Sequence, residues 1–185
     1  EMPILHKVQD ISSIDKKINS IPGDPEQKSQ KLPEEFRRLD AVYQIWNKDD
    51  VLADTTLMRN LENEEQRTLI QRHQLSVYAC FVSTSKSWSE FKEQLGIRRN
   101  ADVLRGGLQL ASDYMVQGEY LVIPLTSTIG YQANTLVLVH LVDGNPDMGR
   151  KVFQPEIKSL AEELSRRVVD VFKRYLYLMR EDTGA

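Results

Sequence analysis

The spacing of apolar residues changes along the chain, and the change predicts where helices give way to strands. Between residues 33 and 46 the apolar positions fall three or four residues apart, which predicts one amphipathic helix. These positions are Phe36, Leu39, Val42, Tyr43 and Trp46. The polar stretch that continues to residue 74 carries apolar residues on helical faces and is predicted to be helical as well. Upstream, the string Pro-Gly-Asp-Pro at residues 22–25 interrupts a short amphipathic pattern, because prolines and glycines disrupt regular structure.

From residue 75 onward the pattern favours strands. Residues 75–82 are rich in β-branched and aromatic side chains and lack Gly and Pro, which predicts a buried strand. A short helix follows, capped by Ser85 and ended by Gly96. Next comes a predicted hairpin, with strands at 108–111 and 120–125 and a turn at Gln117 and Gly118. The last predicted elements are a central strand at 134–142 and a long helix from Pro155 to about Arg180.

This order of elements predicts an α+β fold, with helices packed on one face of a mixed β-sheet and a helical N-terminal segment before it. We divide the chain into a flexible or partly helical tether at residues 1–32, a helical connector at 33–74 and an α+β domain at 75–182. The sequence begins with Glu rather than Met, so we expect it to be a piece of a longer protein.

Composition narrows the class of protein. The 185 residues are 41% hydrophobic and 28% charged, with a formal net charge of -3, so no strong positive field attracts nucleic acid or an anionic membrane. No apolar run approaches the roughly 18 residues that a membrane-spanning helix needs. The single cysteine, Cys80, cannot form an internal disulfide, which is typical of a reducing compartment. We expect an intracellular protein of the nucleus or cytoplasm without a membrane partner.

Residues that could carry metal or catalytic chemistry are scattered. His6, His73, His140 and Cys80 do not have the spacing of a zinc or iron site, so no metal site is predicted. We interpret His140 as a hydrogen-bonded core histidine and Cys80 as a small buried apolar side chain. Because no nucleophile, base and orienting partner can be assembled, the isolated chain is not predicted to be an enzyme.

The loop after the predicted central strand is different. Residues 143–156 read Asp-Gly-Asn-Pro-Asp-Met-Gly-Arg-Lys-Val-Phe-Gln-Pro-Glu, so Arg150 and Lys151 stand just before the long helix, whose N-terminal amides and dipole favour an anion. A lysine there would stabilise charge on a transferred phosphoryl group and sense whether a terminal phosphate is present. The alternative is that both are exposed loop charges, with Val152 and Phe153 fixing the loop to the core.

This combination of strand, loop with Asp and Pro, lysine, aromatic residue and long helix resembles the end of the transducer domain in ATPases. The superfamily is that of gyrase, heat-shock protein 90, histidine kinases and mismatch-repair proteins, and the style is closest to Microrchidia proteins. In gyrase relatives the loop carries Gln-Thr-Lys, and in Microrchidia proteins Asn-Lys-Gln-Asp-Phe. Here it reads Gly-Arg-Lys-Val-Phe-Gln at residues 149–154, with Arg150 in place of the Asn. The resemblance covers about residues 75–180.

The resemblance implies a function for the loop. Lys151, helped by Arg150, would contact the terminal phosphate of ATP, and the long helix would relay the position of the loop. ATP with Mg would be bound mainly by an upstream nucleotide-binding domain of the same protein, which is absent from this chain, and the protein could form a homodimer. A rival interpretation is a non-enzymatic sensor or a protein–protein interaction and dimerisation module.

Nucleic acid is a weaker expectation. Arginines recur in pairs or singly beside tyrosines, which is the combination that binds single strands. They are Arg37, Arg38, Arg98, Arg99, Arg105, Arg166 and Arg167. Because acidic residues are interspersed among them, we assign any such binding to the parent protein rather than to this chain.

Overall fold

A computed structural model describes residues 7–61, 63–98, 100–124, 129–143 and 153–181. Six strands form one sheet in the order β1-β2-β3-β6-β4-β5. Their bounds are β1 Val8–Asp10, β2 Ala41–Trp46, β3 Ser76–Val82, β4 Gly107–Ser112, β5 Met115–Leu121 and β6 Thr135–Leu141. The β1–β2 and β4–β6 pairs are parallel and the other pairs are antiparallel. The mixed sheet of the prediction is therefore confirmed.

Seven α-helices surround this sheet in the described residues. They are α1 Ile11–Ser20, α2 Pro25–Gln30, α3 Lys48–Ala53, α4 Glu64–Arg72, α5 Lys86–Gln94, α6 Ile129–Asn134 and α7 Pro155–Lys173, with short 3-10 helices at Glu34–Phe36 and Leu176–Leu178. Four of these helices, α1 to α4, are preceded by a side chain that accepts a hydrogen bond from the main-chain N–H of the third helical residue. These capping residues are Asp10, Asp24, Asn47 and Asn63. Such caps satisfy amides that a helix leaves unpaired and fix where it begins.

The main core lies on one face of the sheet. Alternate residues of the central strands, such as Val77 and Val137, are buried there with Leu164 and Phe172 of α7, and the rings of Phe81 and Phe172 lie 5.9 Å apart. Burying one such side chain contributes about 1.5–3 kcal/mol, so α7 is held mainly by its apolar face. Helix α5 lies on the other face, where Trp88 packs with Ala41 and Val82. The α+β class is confirmed, with α5 as an addition to the predicted single helical face.

The helix predicted through residue 46 is wrong, because its second half is strand β2. Only a 3-10 turn forms at Glu34–Phe36, and Arg38 then adopts a φ of 51°, which a continuing helix cannot contain. Strand β2 pairs antiparallel with β3, with Ala41 opposite Val82. The helices predicted after it are confirmed as α3 and α4. The division into tether, connector and domain remains a prediction, although strands from all three segments belong to the one sheet.

Two further boundaries differ from the prediction. The hairpin turns at Asp113 and Tyr114, with φ of 50° and 68°, whereas Gln117 and Gly118 lie within β5. The main-chain N–H of Tyr114 donates to Nε2 of His140 at 2.9 Å, which fixes the turn at this place. Helix α7 ends at Lys173 rather than near Arg180. Among the described helices, none is both long and apolar enough to cross a membrane.

Candidate functional site

The two residues of the predicted phosphate site, Arg150 and Lys151, lie outside the described residues. What the structure provides is the geometry on either side of their loop. The loop leaves the end of β6, which is a central strand of the sheet. It leads to Phe153 and to α7, the longest helix in the described part of the chain.

The strand side of the loop is fixed by hydrogen bonds to two other elements. The main-chain N–H of Val142 donates to the carbonyl oxygen of His73 at 2.7 Å, and Nδ1 of His73 donates to the carbonyl oxygen of Val142 at 3.1 Å. Next along the chain, the N–H of Asp143 donates to Oδ1 of Asp113 at 3.1 Å. The end of β6 is thereby tied to the C-terminus of α4 and to the β4–β5 turn. Sequence analysis missed His73 in this role because its partner is 69 residues away.

The helix side of the loop is fixed by packing. Phe153 is only 6% exposed and belongs to the main core together with Ile157 and Leu160 of α7. Pro155 occupies the start of α7, where its missing N–H leaves no donor unpaired. Gln154, at the capping position, makes no side-chain cap in the part of the chain that the structure describes, so the first amides of α7 are not satisfied by a capping side chain.

A cleft of about 300 Å³ lies between the starts of α4 and α7, and its chemistry is acidic. Glu65 and Glu156 line it, together with Gln66, whose Oε1 is buried without a hydrogen-bond partner in the described residues. Carboxylate and amide oxygens accept hydrogen bonds and attract cations. This cleft therefore suits a cationic group and not a phosphate, although it adjoins a helix N-terminus.

His140 has the structural role predicted for it, whereas Cys80, predicted to be buried, is only half-buried. His140 is 8% exposed, accepts the hydrogen bond from Tyr114 at Nε2, and stacks on the Tyr114 ring with centroids 4.8 Å apart. Burial raises the pKa of Cys80 to about 12, so its thiol is not an activated nucleophile at neutral pH. In the ranges that the structure covers, no three His, Cys, Asp or Glu side chains are arranged to hold a metal ion.

Most of the arginines considered for nucleic acid contact carboxylates close by. Arg105 pairs with Asp102 at 2.7 Å and lies over the Tyr120 ring, and Arg167 pairs with Glu163 at 2.8 Å. Arg99 lies outside the described residues. Arg37 and Arg38 line a cleft that also contains Arg180, a residue that sequence analysis did not single out because it lies more than 140 positions further along the chain.

Comparisons of the chain with models of protein families, with curated proteins and with solved structures found no match. The resemblance to transducer domains therefore remains a prediction from the residues of the loop and the order of elements around it.

Proposed function

We propose that this chain is the transducer-type domain of a nucleotide-gated ATPase, in which Lys151, with Arg150 beside it, contacts the terminal phosphate of ATP. The observation that supports this proposal is the connection made by residues 144–152. They join a central strand, tied to two other elements, directly to the buried Phe153 and the start of α7. Because Phe153 is packed in the core beside the start of α7, a displacement of Phe153 would act directly on this helix.

Helix α7 is suited to carry that displacement across the domain. Its 19 residues correspond to a rod of about 28 Å at 1.5 Å per residue. Its apolar face packs over β4 and β6, and just beyond its end the hydroxyl of Tyr175 donates to Oδ1 of Asp15 at 2.7 Å. A shift at Phe153 would therefore reach the N-terminal helix α1, which is the kind of rigid-element coupling that transmits a change of ligand state.

The nucleotide would be held by an upstream domain and not by these residues. Within the described ranges the cleft beside the α7 N-terminus is lined by Glu65 and Glu156, which would repel phosphates. ATP with Mg would supply the transferable phosphoryl group. The part of this chain would be to bring the Lys151 ammonium to the charge that develops on that group, and such a positioned cation stabilises the transition state.

Replacement of Lys151 in the longer protein tests this function. We expect Lys151→Ala to leave the affinity for ATP nearly unchanged and to lower turnover by about 10² or more, as for loss of one charge-stabilising group. Lys151→Arg should recover part of the turnover because it keeps the charge, and Arg150→Ala should have a smaller effect. Lys158→Ala, which removes an exposed lysine of α7, is the matched control. Unchanged turnover in Lys151→Ala, or the absence of a nucleotide-binding domain upstream, would refute the proposal.

A second candidate function, a dimerisation module, is favoured by the sheet face that α5 leaves partly open. Tyr43, Ile45 and Tyr78 are exposed there, Ile45 by 53%, and Ile45 lies directly opposite Tyr78 across β2 and β3. Contiguous exposed apolar side chains are typical of interaction surfaces. Sedimentation equilibrium of this chain separates the two candidates, because a monomer at every concentration contradicts dimerisation through this face and leaves the phosphate-sensing role intact.

A further inference from the structure

Three arginines from two distant parts of the chain line one cleft of about 610 Å³. Arg37 and Arg38 precede strand β2, whereas Arg180 follows the C-terminal 3-10 helix. Ser29 of α2 and Tyr177 also line this cleft. A volume of this size falls in the range of about 300–1,000 Å³ that is usual for small-molecule sites.

The guanidinium groups of this arginine cleft keep donors that the described residues do not use. The Nη2 of Arg37 donates to the carbonyl oxygen of Gln30, but its Nε is buried and has no hydrogen-bond partner among the described residues. Arg180 contacts Oδ1 of Asp40 through Nε at 3.2 Å, and its two Nη atoms make no hydrogen bond within the described part of the chain. A buried polar atom without a protein partner is uncommon and calls for a partner from outside the fold, such as a water or an ion.

Arg38 is the most available of the three. Its side chain is 75% exposed, and its only ion pair in the described ranges is with Oε1 of Glu34 at 3.5 Å. Exposed pairs of this kind contribute between about 0 and 1 kcal/mol, so a ligand with two negative charges can compete for the guanidinium. Among the described residues that line the cleft, Glu181 is the single carboxylate, against three arginines. The lining therefore favours an anion.

A second, more apolar cleft adjoins the arginine cleft. Ser29 and Tyr177 also line a neighbouring cleft of about 330 Å³, together with Ile18, Pro25 and Lys28. Because Ser29 and Tyr177 line both clefts, this pair lies at the boundary between the two compartments. A molecule that used both would need an anionic group at one end and an apolar or aromatic body at the other.

We propose that the two compartments form one binding site for a small organic phosphate. Arg37, Arg38 and Arg180 bind the phosphate, and the body of the ligand lies past Tyr177 against Ile18 and Pro25. The planar guanidinium group of arginine forms paired hydrogen bonds with two oxygens of a phosphate. A doubly charged phosphate also interacts more favourably with several guanidinium groups than a singly charged carboxylate does. The residues that line the site do not include those of the loop that carries Lys151, and the transducer function does not require the site.

The test is a titration of this chain, labelled with ¹⁵N, with three probes. Phenyl phosphate carries both parts of the proposed ligand, inorganic phosphate carries only the anion, and benzoate carries an aromatic body with a single charge. We expect phenyl phosphate to bind at least about tenfold more tightly than either of the others and to shift the amide resonances of Ser29, Tyr177 and Arg180. No binding of phenyl phosphate below about 10 mM, or equal affinity for phenyl and inorganic phosphate, would overturn the proposal.

Variants locate the binding. Arg38→Asn removes the charge and supplies a residue that tolerates the φ of 51° at this position. This substitution should lower the affinity for phenyl phosphate by about tenfold, as expected for loss of one charged hydrogen bond. Arg166→Gln, on the exposed side of α7 with Glu163 as its partner, removes the same charge elsewhere and should leave the affinity unchanged. Tyr177→Ala should reduce the preference for phenyl over inorganic phosphate. Equal weakening by Arg38→Asn and Arg166→Gln, or an unaltered preference in Tyr177→Ala, would contradict the site.

Discussion

The hydrogen bond between Tyr175 and Asp15 fastens the two ends of the described chain together. The Tyr175 hydroxyl donates to Oδ1 of Asp15 at 2.7 Å, across 160 positions of sequence. Tyr175 is 7% exposed, whereas Asp15 is exposed. Tyr175→Phe removes the hydroxyl and keeps the ring, so the substitution isolates this one contact without leaving a cavity the size of a side chain.

The magnitude follows from the charge and the exposure of the partners. A hydrogen bond to a charged group contributes about 1.5–3 kcal/mol. Because water reaches Asp15, we take the lower end and expect Tyr175→Phe to reduce the free energy of unfolding by about 1.5 kcal/mol. For a chain of this length each kcal/mol lowers the melting temperature by about 2–4 °C, which gives a decrease of about 3–6 °C.

The same contact predicts a pH dependence with a definite sign. Burial, and secondly the hydrogen bond to Asp15, raise the pKa of Tyr175 above its ordinary value of 10.0. The folded state then holds the phenolic proton more tightly than the unfolded state, so the contribution is complete below pH 10 and is lost as the pH rises above it. The difference between the wild-type chain and Tyr175→Phe should therefore narrow above about pH 10.

Urea denaturation followed by circular dichroism at pH 7 and at several values above pH 10 measures both effects. Tyr114→Phe is the matched control, because Tyr114 is 88% exposed and its hydroxyl makes no hydrogen bond within the described residues. The reasoning fails if Tyr175→Phe is as stable as the wild-type chain at pH 7, or if the difference between them stays constant as the pH is raised.

Two further predictions concern Cys80 and Gly106, which are both half-buried. Because burial raises the pKa of Cys80 from 9.0 to about 12, alkylation of the folded chain at pH 8 should be about a thousandfold slower than alkylation of the urea-unfolded chain, as followed by mass spectrometry; similar rates would show that the thiol is accessible and ionisable. A Cβ at Gly106 would lie 2.3 Å from the carbonyl oxygen of Gln132, so Gly106→Ala should destabilise the fold by about 1–3 kcal/mol through overpacking. Gly96→Ala, which has free space but a φ of 71°, should lose only about 1 kcal/mol in a urea denaturation, and an equal loss in both would contradict the steric argument.

The local pattern of residues predicted the strands β3, β4 and β6, but it assigned the residues of β2 to a helix. Its apolar residues fit a helix because both faces of the strand are covered at one end, with Ala41 packed near Trp88 of α5 and Val42 in the main core. Burial on both sides removes the alternation that identifies a strand. Strand rather than helix forms here because β2 pairs with β3, more than 30 residues away. The local spacing of apolar residues carries no information about that pairing.

The displaced hairpin turn has a similar cause. Gly118 is the residue in this region that most readily adopts a positive φ, yet Asp113 and Tyr114 adopt it instead, at 50° and 68°. The acceptor that holds Tyr114 there is Nε2 of His140 on strand β6. Sequence analysis assigned His140 correctly to the core, but it could not connect this histidine to a turn 26 positions earlier.

One of the two proposed sites can be predicted from the sequence alone and the other cannot, and the difference has a physical origin. Arg150 and Lys151 belong to one contiguous loop, so their motif can be recognised before any fold is known. The arginine cleft exists only after the segment beyond α7 has paired with the segment before β2, where Leu39 donates to Leu178 and accepts from Arg180 through main-chain bonds of 2.8 Å each. Ligand binding to the cleft is thus linked to this pairing, and phenyl phosphate should raise the melting temperature of the wild-type chain more than that of Arg38→Asn. Equal shifts would place the bound phosphate elsewhere on the molecule.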